Sequence, residues 1–214
     1  MRRRSVFRIG LAVAGAGYCA AAVIAFAANR GGATTYAALS AGAGVAFLVA
    51  GLGLLLAGAW GMLDAGTGTL PGLCVLAAVA WLSPELAGWD TGPALLRSVG
   101  VGLGPFLVPL LAQIALTGPD GHLRSSRGRV AVTIAYGVTA VTAAAYLATW
   151  APFLDRYCWS DCTANAFLVR PDADLARSFD AARWAASTAI GLLGVIAAAV
   201  WLVRASPVAR AIGG

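Results

Sequence analysis

Glu85 and Arg97 stand on either side of a short polar turn, each within about two helical turns of the end of a long apolar run. An ionisable group carried into an apolar segment is costly to hold, and such groups commonly belong to ligand or ion paths. Two arrangements suit them. Both can sit at an interface, with Arg97 reaching water along its stem. Alternatively they pair across the turn and line an outward-facing cavity that a ligand or pH perturbs. Trp89 lies in the same turn. Farther on, Cys158 and Cys162 occur in Cys158-Trp-Ser-Asp-Cys162, beside Asp161. On an oxidising side they suit a small intraloop disulfide, whose gain is local rigidity. Free thiols and a metal site are the rivals, and the metal set is short of the usual four ligands. His122, the one histidine, follows the turn signal Pro119-Asp120-Gly121 and neighbours Arg124 and Arg127. No nucleophile elbow stands near it, so it reads as a solvated loop residue. The chain spells no complete catalytic site, and no enzymatic activity, metal or cofactor is expected.

The elements that hold these residues follow from composition. The 214 residues are 60% hydrophobic and 11% charged, with mean hydropathy +0.80. Such a chain folds in lipid. Six runs, at roughly 6–28, 37–63, 70–88, 93–117, 130–150 and 184–203, are near the twenty or so residues that a spanning helix needs. A closed barrel would show short alternating segments instead. The expected fold is all-α: one integral membrane bundle of six transmembrane helices over 1–214, with an extracytoplasmic loop at 151–183. Segment 170–183, apolar at 175, 179 and 182, suits either a short amphipathic surface helix, acting as a lid, or a plain connector.

Arginine sets the orientation. All fifteen basic residues are arginine, and the net charge is +6. They are scattered at span ends instead of gathered on one face, which excludes a nucleic-acid partner. With the N-terminus inside, nine arginines are cytoplasmic and six are outside, mostly in the long loop. Both termini are then cytoplasmic, and the basic loop 118–129 is inside. The first run ends in Ala25-Phe-Ala-Ala28, a possible cleavage site, but at about twenty residues it exceeds a signal h-region, so an uncleaved first span is expected. Trp60, Trp89, Trp150, Trp184 and Trp201 fall near span ends, as interfacial rings do; Trp81 is deeper and reads as packing.

Small residues supply the helix contacts in lipid. The second run carries Gly42, Gly44, Gly51, Gly53, Gly58 and Gly61, and the fourth carries Gly100-Val-Gly-Leu-Gly104. Pro84 in the third run, and Pro105 and Pro109 in the fourth, each remove a backbone donor and are expected to bend their helices. Cys19 and Cys74 read as small buried apolar residues, and Asp64 as interfacial.

Three segments together resemble a known family. They are Ala80-Trp-Leu-Ser-Pro-Glu-Leu-Ala-Gly-Trp89, Gln113-Ile-Ala-Leu-Thr-Gly-Pro-Asp-Gly-His-Leu-Arg-Ser-Ser-Arg127 and Cys158-Trp-Ser-Asp-Cys-Thr-Ala-Asn-Ala-Phe-Leu-Val169. In this order and spacing they resemble the N-terminal membrane input region of actinobacterial sensor histidine kinases. Gly118 departs from the aromatic usual before Pro-Asp-Gly, and His122 from the arginine usual after it. No phosphoacceptor helix or ATP-binding domain is spelled, so the resemblance implies a signal-sensing input module of a two-component-type system in the plasma membrane. Its expected partners are the lipid bilayer and either a cytoplasmic signalling protein or a second copy. Glu85, Arg97, Trp89 and Asp161 are the candidate sensing residues; Asp120, His122, Arg124 and Arg127 form the cytoplasmic loop. A small transporter or channel subunit is the alternative, suggested by the proline-broken fourth run. A membrane thiol-disulfide protein is a third, weakened by the three-residue spacer between Cys158 and Cys162.

Overall fold

Backbone N–H and C=O groups that lie in lipid must be satisfied within the chain, and long apolar runs without strand alternation achieve this as helices. The computed structural model describes residues 2–29, 35, 37, 40–63, 69–89, 91–117, 122–123, 125–154 and 164–204. It contains helices α1 (Arg2–Ala28), α2 (Ala41–Leu63), α3 (Leu70–Ala87), α4 (Ala94–Leu103), α5 (Leu107–Leu116), α6 (Ser126–Thr149) and α7 (Ala173–Arg204). Short 3-10 turns occupy Gly104–Phe106 and Pro152–Leu154. Among the described residues there is no strand, only one bridge pairing Thr117 with Leu123. Six segments are long and apolar enough to cross a membrane, with α4 and α5 counting together as Ala94–Leu116. The chain is an all-helical membrane protein.

The bundle is organised around α3, which packs against α1, α2, α4 and α5. Half of its spanning window is buried, against 17% for α2 and 6% for α7, so the other helices turn most of their surface outward. One face of α3 (Ala78, Leu82 and Leu86) meets Cys19, Ala22 and Ala25 of α1. Another (Leu73, Ala77 and Ala80) meets Leu110 of α5. Cys19 is buried, as the sequence suggests, while Cys74 is half-buried.

Glycine sets how closely α2 approaches α3. Gly44, Gly51 and Gly58 recur every seven residues and are buried on one face. A Cβ on Gly58 would lie 2.7 Å from Pro71 O, and one on Gly51 would lie 2.8 Å from the Leu82 side chain. Gly42 and Gly53 face open space, so the expected contact stripe is a single face and not the whole glycine set.

The three prolines do not behave alike. Pro84 lies inside α3, which continues to Ala87. Pro105 sits in the 3-10 turn that separates α4 from α5, and Pro109 is buried in the first turn of α5. Each lacks the N–H that would bond a carbonyl four residues back, and two such losses in one turn and a half interrupt the fourth span.

The last span also departs from expectation. Segment 170–183 is not a separate surface helix. From Ala173 onward it is the first part of α7, continuous for 32 residues. Asp172 Oδ1 accepts from the backbone N–H groups of Asp174 (3.1 Å) and Leu175 (3.0 Å), which starts the helix. No glycine or proline interrupts residues 173–190, so helix runs straight into the apolar segment. At 1.5 Å per residue α7 is about 48 Å long, against about 30 Å of hydrocarbon, and its polar first turns therefore project beyond the lipid.

Candidate functional site

A cavity of about 450 Å³ lies where α2, α3, the broken fourth span, α6 and α7 converge. Its walls are largely apolar and aromatic. Phe47 and Trp81 close one side, with their rings stacked at 5.3 Å and the Trp81 indole N–H donated to Phe47 O at 2.9 Å. Gly104, Pro105 and Val108 form the wall contributed by the interrupted span. The break matters here because a straight helix would present a different set of side chains at this level.

Polar groups gather at the end of the cavity beside Trp150. Tyr146 and Trp150 stack at 5.6 Å. The Arg183 guanidinium lies over the Tyr146 ring, 4.6 Å from its centroid, and donates through Nη2 to Asp180 one turn earlier in α7. Arg183 is only 17% exposed. Trp150 lines the same region, and its Nε1 is buried without a hydrogen-bond partner. A buried, unpaired indole N–H is costly.

The ends of the helices around this group are fixed by side chains. Asn165 is buried, donates Nδ2–H to Leu147 O (2.6 Å) and Trp150 O (2.8 Å), and accepts from Phe167 N. It satisfies carbonyls that the end of α6 would otherwise leave open. Ser98 of α4 donates to Ala94 O and accepts from Ala166 N at 2.9 Å, tying the segment before α7 to the fourth span. None of Asn165, Ser98, Tyr146, Trp150 and Arg183 stands out as a group in the sequence. The available signal is polar residues inside or beside apolar runs, which mark interhelical contacts.

Glu85 lies one turn beyond Trp81 on α3 but does not line the cavity. It is 1% exposed. Its Oε2 accepts from Thr35 Oγ1 at 3.2 Å, while Oε1 is buried without a partner. The pairing with Arg97 across the turn is not formed: among the described residues the ion pairs are Arg177–Asp174 and Arg183–Asp180. Arg97, half-buried, instead donates Nε–H to Ala87 O at 3.4 Å. Nearby, Asn29 donates to Gly88 O at 2.8 Å and holds the end of α1 to the end of α3. Tyr18 OH meets Ser83 Oγ at 2.9 Å; since Ser83 already donates to Val79 O, Tyr18 is the donor.

Of the other sequence candidates, Trp89 packs against the α1–α3 core and its Nε1 is buried without a partner. Pro105 lines the cavity; Glu85, Trp89 and Arg97 do not. His122 and Arg127 are exposed at the end of the molecule where Thr117 bridges Leu123. Asp120, Arg124, Cys158, Asp161 and Cys162 lie outside the described residues, as does Asp64. Among the described residues no three histidine, cysteine or acidic side chains cluster in a way that could hold a metal. Comparison with protein-family models, with curated proteins and with solved structures found no match to this chain.

Proposed function

We propose that this protein is a signal-input module of the plasma membrane, of the two-component type, with both termini cytoplasmic and no catalytic activity of its own. The observation that carries the reading is the cavity beside the Gly104–Phe106 break. A ligand in that cavity would touch the one span that is already interrupted. A stimulus acts only if it binds two arrangements of the bundle unequally, and a broken span offers a second arrangement at low cost. The inner half of that span, α5, leads to Thr117 and the basic inner loop. The three-segment resemblance to sensor histidine kinase input regions supports the same reading, as would a kinase core or response regulator encoded alongside.

The test is to heal the break. With the native cysteines replaced by serine, Arg127→Cys reports the accessibility of the inner loop. Adding Pro105→Ala and Pro109→Ala is expected to change its maleimide labelling rate in membrane vesicles severalfold. An unchanged rate would remove the fourth span as the moving element.

One observation favours a second reading, a small transporter or channel subunit. Glu85 is a buried carboxyl side chain with an unsatisfied oxygen, close to an interrupted span, and transporters use such combinations near substrate sites. Ion-flux assays in liposomes separate the two readings, because an input module conducts nothing.

A further inference from the structure

We infer that the cavity takes the hydrocarbon chain of an anionic amphiphile of the fatty-acid type, with its carboxylate at Arg183. Four features lead there. The volume of about 450 Å³ lies in the range of small-molecule sites. The walls formed by Trp81, Val101, Leu107 and Val108 offer nothing polar to a ligand, since the Trp81 indole N–H is already bonded to Phe47 O; Ser187 of α7 adds a single hydroxyl beside them. The charged group at the end of the cavity beside Trp150 is a hydrogen-bond donor, for Arg183 bonds Asp180 through a single nitrogen. A guanidinium carries five N–H donors, so most of its capacity remains for a carboxylate, which it binds in bidentate fashion. Finally, no acidic side chain lines the cavity among the described residues. Asp180 reaches Arg183 from one turn nearer the aqueous end, and is 37% exposed.

A route in from the bilayer is also present. Phe47 of α2 and Trp184 of α7 both line the cavity. α2 packs on α1 and α3, and α7 on α5 and α6, and among the described residues α2 and α7 are not closely packed on each other. Trp184 is 63% exposed, as a ring at that opening would be. An amphiphile in the outer leaflet would slide its chain in sideways and leave its headgroup at the level of Arg183. A neutral lipid would leave the guanidinium without the anion, and a free inorganic anion would leave the apolar walls empty.

The experiment uses the full chain in zwitterionic phosphatidylcholine nanodiscs and a palmitic acid carrying a diazirine in its chain. Illumination is expected to label residues around Val108, Trp150 and Ser187, saturably. Palmitate should compete and its methyl ester should not. Arg183→Gln should weaken the saturable labelling about tenfold, the scale of one charge-assisted contact. Val108→Trp, which fills the cavity and leaves Arg183 in place, should abolish it in protein that stays monodisperse. Non-saturable label spread over the outward faces of α1 and α2, equal competition by the methyl ester, or displacement by anionic phospholipid alone would each overturn the inference. As the stimulus of the proposed input module, the amphiphile rests on the sensing reading, but the two fail separately. Labelling that leaves Arg127→Cys accessibility unchanged removes the sensing reading and keeps the site. Absence of labelling removes the site, and the module then answers to another stimulus.

Discussion

Gly100→Ala is expected to destabilise the bundle by about 1–3 kcal/mol, the range for forcing extra volume into a packed contact. The new Cβ would lie 2.7 Å from Ser83 O and 2.8 Å from Ala87 N, both backbone atoms of α3. Backbone inside a helix cannot turn aside as a side-chain tip can, so α3 and α4 must separate. Both helices carry walls of the cavity, and Gly100 is one of its lining residues, so its shape changes too. Gly102→Ala is milder because its Cβ meets only Leu147 Cδ1, the far end of a flexible side chain. Gly53→Ala is the control. It meets nothing within 4 Å, and should be neutral or gain up to roughly 1 kcal/mol from helix propensity. Reversible unfolding in mixed micelles, followed by tryptophan fluorescence, checks the order. Equal stability of Gly100→Ala and Gly53→Ala would contradict the close α3–α4 crossing.

Glu85→Leu should do the opposite and raise stability by about 1 kcal/mol. The Glu85 side chain is 1% exposed, with one oxygen at 3.2 Å from Thr35 Oγ1 and the other unbonded. An unsatisfied buried polar atom is a net cost, and an apolar group of similar size removes it. What is lost is one long hydrogen bond, and Thr35 is only half-buried. Glu85→Gln should bring no such gain, because the amide adds donors where no acceptor waits. A protein that keeps a destabilising carboxyl commonly does so for function. Glu85→Leu is therefore expected to blunt any ligand response of the Arg127→Cys label while raising the unfolding midpoint. A lower midpoint in Glu85→Leu would make the carboxyl a structural element instead.

The span pattern was legible because lipid demands about twenty apolar residues in a row, and each of the six runs meets that demand. Helix ends were less legible. Hydropathy reports the solvent around a residue, whereas the backbone follows caps and breakers. Thus α7 starts at Ala173, eleven residues before the apolar run at Trp184, because Asp172 caps it and nothing breaks it. The break at Pro105 could be read from the prolines, yet Pro84 stays within α3. Glu85 looked interfacial by its distance from the span end. Its hydrogen bond from Thr35 joins residues fifty apart in sequence, which no local pattern reveals. The cavity was not legible for the same reason. Its polar end is assembled from Tyr146, Trp150 and Arg183, which meet only when α6 and α7 pack.

The central claim is that these helices cross a bilayer with the basic loop inside, and α6 offers the most direct test. Arg127 stands in its first turn, and Val169, 82% exposed, bonds to Ala148 O at its far end. In a background with the four native cysteines replaced by serine, Arg127→Cys and Val169→Cys are each labelled in intact cells with a membrane-impermeant maleimide. The account predicts that Val169→Cys reacts at once and Arg127→Cys only after the cells are permeabilised. Reaction of Arg127→Cys alone would invert the topology, and reaction of both from outside would mean that α6 does not span the membrane.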